Sequence, residues 1–345
     1  MTATAQDQPT LDPLAPNHLA WCLTAAGGSY EWVEVAGQPL GPTDVAIRPR
    51  SSALNHMDLW LTRGKPSPPS YPHVAGGDGA GIVIEIGAEV STVAVGDEVI
   101  IDPSIVSADA AQRGYDAPLD RSLQILGEHR WGTHGRRVVV PARNIVRRPA
   151  NRTWAECAAL PVASVTAWRM MRRARVQAGE RVLIVGVGGG VSTAAMMVAL
   201  HLGAEVYVTS GSEAKHEWAI AHGASGACLS SGRFPSDMDV VVESVGPATW
   251  DSSCRALRPG GRMVVCGGTS GSVAELNLPR LFFKQHEIIG STMGSPLEFV
   301  ELVAAFEDGL AVVVDSVMEI ADYPAALERL REGGQLGKIV LDHGV

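Results

Sequence analysis

Residues 181–192, Arg-Val-Leu-Ile-Val-Gly-Val-Gly-Gly-Gly-Val-Ser, carry the clearest chemical signal in the chain. An apolar strand runs into a glycine cluster, and a helix of small residues from Thr193 to Leu200 follows at once. That order suits a dinucleotide pyrophosphate: a tight turn ends the strand, glycines let the backbone approach, and a helix N-terminus aims N–H groups at the anion. Gly188, Gly189, Gly190 and Val191 are the candidate phosphate contacts. The strict G-x-G-x-x-G spacing is not met. Counted from Gly186 it ends at Val191, and the looser G-x-x-G-x-x-G ends at Ser192, whose side chain is expected to crowd the pyrophosphate. A glycine turn that only packs a helix on a sheet is the competing reading; the succession strand, turn, helix, strand favours the cofactor.

The end of the next strand speaks to which cofactor. An NAD enzyme usually places Asp or Glu about 20 residues past the turn, against the ribose 2′-hydroxyl. Here the segment is Val208-Thr209-Ser210-Gly211-Ser212, with Lys215 one helical turn on. The hydroxyls of Ser210 and Ser212 and the Lys215 ammonium suit a 2′-phosphate, which predicts NADPH. A Gly-Ser turn that caps a helix beside a solvated Lys215 is the alternative.

These residues need a scaffold, and the patterning supplies one. From Leu19 to about Val140 short strands are broken by Gly, Pro and Asp, for example Val45–Ile47, Gly81–Ile86 and Glu98–Ile101, which reads as a compact β region. Glu156–Arg173 is expected to be helical with an interruption at Pro161. Strand and helix then alternate: strands at 181–185, 205–209, 239–243, 262–266 and 287–290, helices at 192–201, 213–222 and 249–257. That alternation predicts a parallel sheet of about five or six strands. A helix at 296–307, a strand-like 312–318, a helix at 323–332 and a last strand at 338–341 follow.

Length and composition set the frame. A chain of 345 residues is expected to hold about two domains. The net charge of −9, with no basic cluster, argues against a nucleic-acid partner. Cys22, Cys157, Cys228, Cys254 and Cys266 form no C-x-x-C pair, so reduced thiols and a cytoplasmic location are expected. No Lys or Arg precedes Arg48, which argues against a targeting peptide, and residues 1–16 read as a flexible tail. No apolar run reaches the ~18 residues that span a bilayer.

Several motifs in order carry a family resemblance. Ala53-Leu54-Asn55-His56-Met57-Asp58-Leu59-Trp60 with Arg63-Gly64, Ala75-Gly76-Gly77-Asp78-Gly79-Ala80-Gly81, Val95-Gly96-Asp97-Glu98-Val99, Val138-Val139-Val140-Pro141 and Gly337-Lys338-Ile339-Val340-Leu341 resemble the medium-chain dehydrogenase/reductase family. The match is nearest to its quinone oxidoreductase-like and zinc-dehydrogenase-like branches. The resemblance implies an α/β fold: a GroES-like β-rich catalytic domain over 1–155, a Rossmann doubly wound parallel sheet over 156–295, and a C-terminal return over 296–345. It also implies that Ser244, Val245, Gly246, Cys266, Gly267, Gly268, Met293 and Lys338 line the cofactor, and that the chain is a homodimer built through the Rossmann edge strand.

Departures from the family pattern bear on the chemistry. In the zinc alcohol dehydrogenases Asn55 and Gly77 would be Cys and His ligands, and a third would come from near Val162. An amide, a glycine and a valine cannot hold Zn²⁺ as thiolate or imidazole does. The lobe from Pro103 to Gly127 lacks the four cysteines of that branch's structural zinc, and Met57 replaces a hydroxyl of its proton relay. The resemblance therefore implies a zinc-free site that reduces an already electron-poor acceptor, an enone, enoyl thioester or quinone. Asn55 is the first choice for the polar group near the acceptor carbonyl; a turn-closing Asn is the competing reading. His56 is expected near the pyrophosphate or at the surface, and Asp58 to hold the loop together. Tyr71 and His73 are expected to flank the cleft as candidate proton donors, with water as the competing donor. A zinc-free alcohol or aldehyde dehydrogenase and a non-catalytic NADPH-binding protein remain as alternatives.

Overall fold

The computed structural model describes residues 17–344; the stretch 1–16 read as a tail lies outside it. The expected α/β architecture is present. Six strands form one parallel sheet in the order Gly226–Leu229, Glu205–Ser210, Arg181–Ile184, Met238–Glu243, Leu257–Val265, Glu287–Gly290. Helices cover both faces, so the central strands are buried on both sides and read as unbroken apolar runs such as Val182-Leu183-Ile184. Gly226–Leu229, not foreseen from sequence, is a short, half-exposed edge strand with no alternation to reveal it. The helix Leu278–Phe283 was also missed, because it buries none of its residues and so has no apolar stripe facing a core.

The β-rich body is built on the long strand Asp44–Ala53, which pairs antiparallel with Asp78–Ile86, Val138–Pro141 and the closing strand Lys338–Asp342. This last pairing positions the site. Val340 lies opposite Ala53 and Leu341 opposite Ser52, and Leu54 N–H donates to the Ile339 carbonyl at 3.0 Å. Two residues further along that register, Lys338 arrives beside Asn55. Val314–Glu319 runs parallel to the closing strand on its other side. The helix Trp154–Ala159 packs Ala158 and Ala159 against Ala53 and Val340. The helix Pro161–Arg173, with Pro at its first position, turns away to pack against Gly190–His201 and Pro296–Glu307 over a core that includes Met170, Met196 and Phe299. No helix among the described residues is long and apolar enough to cross a membrane.

Candidate active site

A cleft of about 260 Å³ opens between the β-rich body and the parallel sheet. Asn55, His56, Gly189, Gly190, Val191, Ser244, Cys266, Gly267, Met293 and Lys338 all line it. A second cavity of about 270 Å³, between Trp250, Arg280 and His286 on the outside of the sheet, contains none of the residues read as functional.

At the phosphate turn, Gly188 has φ +119°, a conformation that favours glycine. The helix Gly190–His201 starts behind Gly189 with no side-chain cap, so its first N–H groups stay available to an anion. Ser192 lines the cleft, and its hydroxyl donates to the Gly186 carbonyl at 2.7 Å, which ties the side chain to the turn. Lys215 lies closer to the turn than its sequence position suggested: a Cβ added at Gly188 would sit 2.8 Å from its Nζ. The ammonium donates to the Gly333 carbonyl at 3.2 Å, and burial pushes its pKa down. Ser210 is buried at the strand end, its Oγ accepting the Ser212 N–H at 3.3 Å; Ser212 precedes the helix Glu213–Ala221, its side chain making no capping hydrogen bond. Ser210 and Ser212 thus meet at the strand end, while Lys215 reaches the phosphate turn at Gly188.

One residue that sequence reasoning passed over organises the opposite wall. Glu243, fully buried, accepts from Val245 N (2.7 Å), Gly246 N (3.0 Å), Thr249 Oγ1 (2.9 Å) and Ser253 Oγ (2.6 Å). It fixes the turn that presents Ser244 to the cleft. Val245 and Gly246 face away from the cavity: Val245 packs into the core beneath the turn, and Gly246 abuts Gly268, whose Cα would lie 3.0 Å from an added Cβ. A carboxylate closing the apolar run 238–243 was the available signal. Cys266 borders the cleft with its thiol pushed up to about 12 by burial, which makes it a packing group and not a nucleophile.

At the inner end lies a cluster of opposite charges. Lys338 Nζ donates to the Leu54 carbonyl, to Asn55 Oδ1 at 2.7 Å and to Asp78 Oδ2 at 2.8 Å. Asn55 Nδ2 donates to Asp78 Oδ2 at 2.8 Å, and Val162 N–H to Asp78 Oδ1 at 2.6 Å. The lysine and aspartate side chains are 5% and 0% exposed, so water screens neither. Asp78 appeared in the sequence only as part of a glycine-rich turn; a charge opening a buried strand was the hint.

Asn55, Gly77 and Val162, the positions the resemblance equates with zinc ligands, do converge. A Cβ at Gly77 would lie 3.0 Å from Val162 Cγ2 and 3.8 Å from Asn55 Nδ2. What they offer is an amide, a hydrogen and an isopropyl group beside an ammonium that repels a divalent cation. Among the described residues no group of three His, Cys, Asp or Glu could hold a metal. These residues do not fit zinc.

Asp58 anchors the loop, as expected. Its Oδ2 accepts the Asn55 N–H at 2.7 Å, and its Oδ1 lies 3.3 Å from His134 Nε2. His134 continues through Ser52 Oγ (3.0 Å) to His343 Nε2 (2.9 Å). His56 lines the cleft, its imidazole held below the ordinary value by burial and by the Lys338 ammonium. Trp60, 38% exposed, stands at the cleft's rim with its ring 6.2 Å from that of His56.

Tyr71 and His73 do not flank the cleft, which corrects the sequence expectation. Tyr71 packs against the cluster around Trp21, Leu59 and Tyr323. His73 is fully buried, and its Nε2 lies 3.0 Å from the Gly127 carbonyl, which can only accept, so that nitrogen carries the proton. Neither is placed to hand a proton to a ligand in the cleft.

With this geometry in hand, the relatives can be placed. Residues 41–150 match the alcohol dehydrogenase GroES-like domain, and residues 190–308 the zinc-binding dehydrogenase family. A zinc-type alcohol dehydrogenase-like protein of Schizosaccharomyces pombe is 30% identical, the match covering 88% of this chain and 92% of that protein. The chain also matches a polyketide synthase of Streptomyces halstedii at 31% identity, there spanning only 5% of the partner. Among solved structures, an NAD-dependent alcohol dehydrogenase superposes with TM-score 0.90 at 34% identity over 94% of this chain and 100% of that one. A 2-octenoyl-CoA carboxylase reductase in complex with NADP and 2-octenoyl-CoA gives TM-score 0.88 at 25% identity, covering 95% and 88%. The chain belongs to the medium-chain dehydrogenase/reductase superfamily and is an oxidoreductase of that group.

Proposed function

We propose that this protein is an NADPH-dependent, zinc-independent reductase of activated C=C bonds, in enones or enoyl thioesters, or of quinones. The observation that carries this reading is the buried Lys338–Asp78–Asn55 cluster standing where the resemblance would put a catalytic metal. The bound dihydronicotinamide would supply the hydride. The helix N-terminus at Gly190 would hold the pyrophosphate, with Ser210, Ser212 and Lys215 receiving the 2′-phosphate. Ser244, Cys266, Gly267 and Met293 would wall the nicotinamide end. Asn55 would donate to the acceptor's carbonyl oxygen, where the π electrons displaced by the hydride come to rest. Water entering past Trp60 would protonate the α-carbon. Conjugation lets the acceptor carry that charge, which an unactivated alcohol cannot do without a Lewis acid.

The homodimer is part of the same reading. Ile288 on the edge strand and Phe282 and Phe283 on the preceding helix are exposed, an apolar surface that a second copy would cover.

Purified protein assayed with NADPH against a panel of enones, enoyl thioesters, quinones and aldehydes, and with NADP⁺ against alcohols and aldehydes, tests the proposal. Turnover of the conjugated acceptors, insensitive to chelator, is the expected result. Oxidation of simple alcohols with NADP⁺, without added metal and without turnover of conjugated acceptors, would replace it with the zinc-free dehydrogenase reading, and NADPH binding without any turnover with the binding-protein reading.

A further inference from the structure

We infer that Lys338 is a positioning residue that places a full positive charge behind the Asn55 amide, so that the polarised amide does the work of a Lewis acid. This rests on the reductase reading above and adds the source of its electrostatic stabilisation. An ammonium can only donate and a carboxylate can only accept. The contacts of Asn55 with Lys338 and Asp78 therefore fix its orientation: Oδ1 faces Lys338 and Nδ2 faces Asp78. Lys338 spends its three N–H groups on Leu54, Asn55 and Asp78, so none is left for a ligand and its charge must act through Asn55. The amide has two N–H groups on Nδ2. One goes to Asp78; the other has no hydrogen-bond partner among the described residues, and Nδ2 lies on the side of Gly77 and Val162, both of which line the cleft.

The arrangement is a relay of polarisation. Donation from a cation into Oδ1 withdraws electron density from the amide and makes the remaining Nδ2–H a stronger donor. Burial of Lys338 keeps the field from being screened. Asp78 is neutralised by Lys338 and by the Val162 N–H, so it orients the amide without presenting a bare anion to the acceptor. When hydride reaches the β-carbon, the C=C pair shifts to form the enolate and the carbonyl π pair moves onto oxygen, where the free Nδ2–H receives it. Return of that pair, with a proton from water at the α-carbon, completes a two-electron reduction. The Lys338 stem also lies against the dinucleotide helix, its Cδ 3.1 Å from a Cβ built at Gly190, so the charge is registered against the cofactor's own seat.

The test uses Asn55→Asp, Lys338→Met and Lys338→Arg with two readouts. Asn55→Asp keeps size but removes the donor; turnover of an enone is expected to fall roughly 100-fold while the NADPH dissociation constant, read by fluorescence, changes less than about threefold. Lys338→Met is expected to lower turnover about tenfold, the difference between a charge-assisted and a neutral hydrogen bond, and Lys338→Arg to recover most of it. The second readout is independent of turnover: the absorption band of 4-dimethylaminocinnamaldehyde bound to the protein. It shifts to the red when its carbonyl oxygen takes up a strong donor. The shift is expected in the parent, absent in Asn55→Asp, reduced in Lys338→Met and restored in Lys338→Arg. Parent-like turnover or an unchanged band in Asn55→Asp overturns the inference even if Lys338→Met fails to fold. A parent protein that reduces no conjugated acceptor overturns the reductase reading instead.

Discussion

Two buried carboxyl groups show how differently this chain treats the two places where the family resemblance read from its sequence would put zinc. Asp78 stands in the cleft and Asp102 at the root of the lobe that follows Pro103; they are 0% and 1% exposed. Asp78 meets an ammonium at 2.8 Å and two further N–H donors. Asp102 meets only neutral partners, the Ser104 N–H at 2.9 Å and the Asn144 amide at 3.3 Å, and burial pushes its pKa up to about 8. The Asn144 amide faces Asp102 with Nδ2, and its Oδ1 is buried without a partner. The carboxyl group of the cleft is given a cationic partner; the one at the root of the lobe has only neutral ones, and burial favours its neutral form. Beyond that root the lobe is held by apolar packing of Val106, Ala110 and Ala117, and by a clamp onto the helix Pro296–Glu307. There Arg169 donates to Glu298 at 2.8 Å and to the Tyr115 carbonyl at 2.9 Å, and Tyr115 reaches Glu301. Burial alone does not decide the state of a carboxyl group; the partner does.

The contrast can be broken at its strongest point with Asp78→Ala. That change strands the Lys338 ammonium in a dry site and is expected to cost about 3–5 kcal/mol of stability in urea unfolding. A loss below about 1 kcal/mol would mean that the cleft's charges are hydrated in solution. Removing the other cation near the cofactor seat, by Lys215→Ala, is expected to raise the KM for NADPH roughly tenfold and leave that for NADH nearly unchanged. Equal effects on both cofactors would assign Lys215 to the pyrophosphate turn, where its position over Gly188 already brings it close.

Asp102→Asn is expected to be far milder, since it strands no counter-charge and its side-chain oxygen can still accept the Ser104 N–H. The sign of its pH effect follows from the raised pKa. The stability Asp102 contributes is complete below its unfolded value of 3.8 and is lost as pH rises through about 8. The parent should therefore lose more stability than the variant between roughly pH 4 and 8, compared by urea midpoints at each pH. The smallest effect is expected from a chelator: dialysis against EDTA should leave both the unfolding midpoint and enone turnover unchanged. A drop in either would show that one of these two places takes up metal after all.

The parallel half of the molecule was the more legible in sequence. Its strands are buried on both faces, so 181–184 and 238–243 announce themselves as apolar runs, and the glycine turn follows the first of them. The edge strand Gly226–Leu229 and the exposed helix Leu278–Phe283 were not, because half-exposed elements leave no periodic record. The cleft's polar side chains were harder. Tyr71 and His73 lie near the glycine-rich turn in sequence, yet which face a side chain takes depends on strand pairing, and His73 sits in a short strand paired with Asn17–Leu23 that turns it toward Gly127. Asn55 and Lys338 were both singled out, but for separate roles. Only the antiparallel register across 283 positions joins them. Asp78 and Glu243 escaped notice because a buried carboxylate is recognised by what surrounds it.

That register has a consequence for how the protein is made. Ala53 meets Val340 only after the long stretch between them has left the ribosome, so Asp78 is synthesised some 260 residues before its counter-ion. Until then the nascent β-rich body must either hold an unpaired carboxylate or leave this corner open to water, and a contact of such long sequence separation closes late. Synthesis that stopped short of Lys338 would release a chain whose cofactor turn can form while the acceptor end of its cleft stays unfinished.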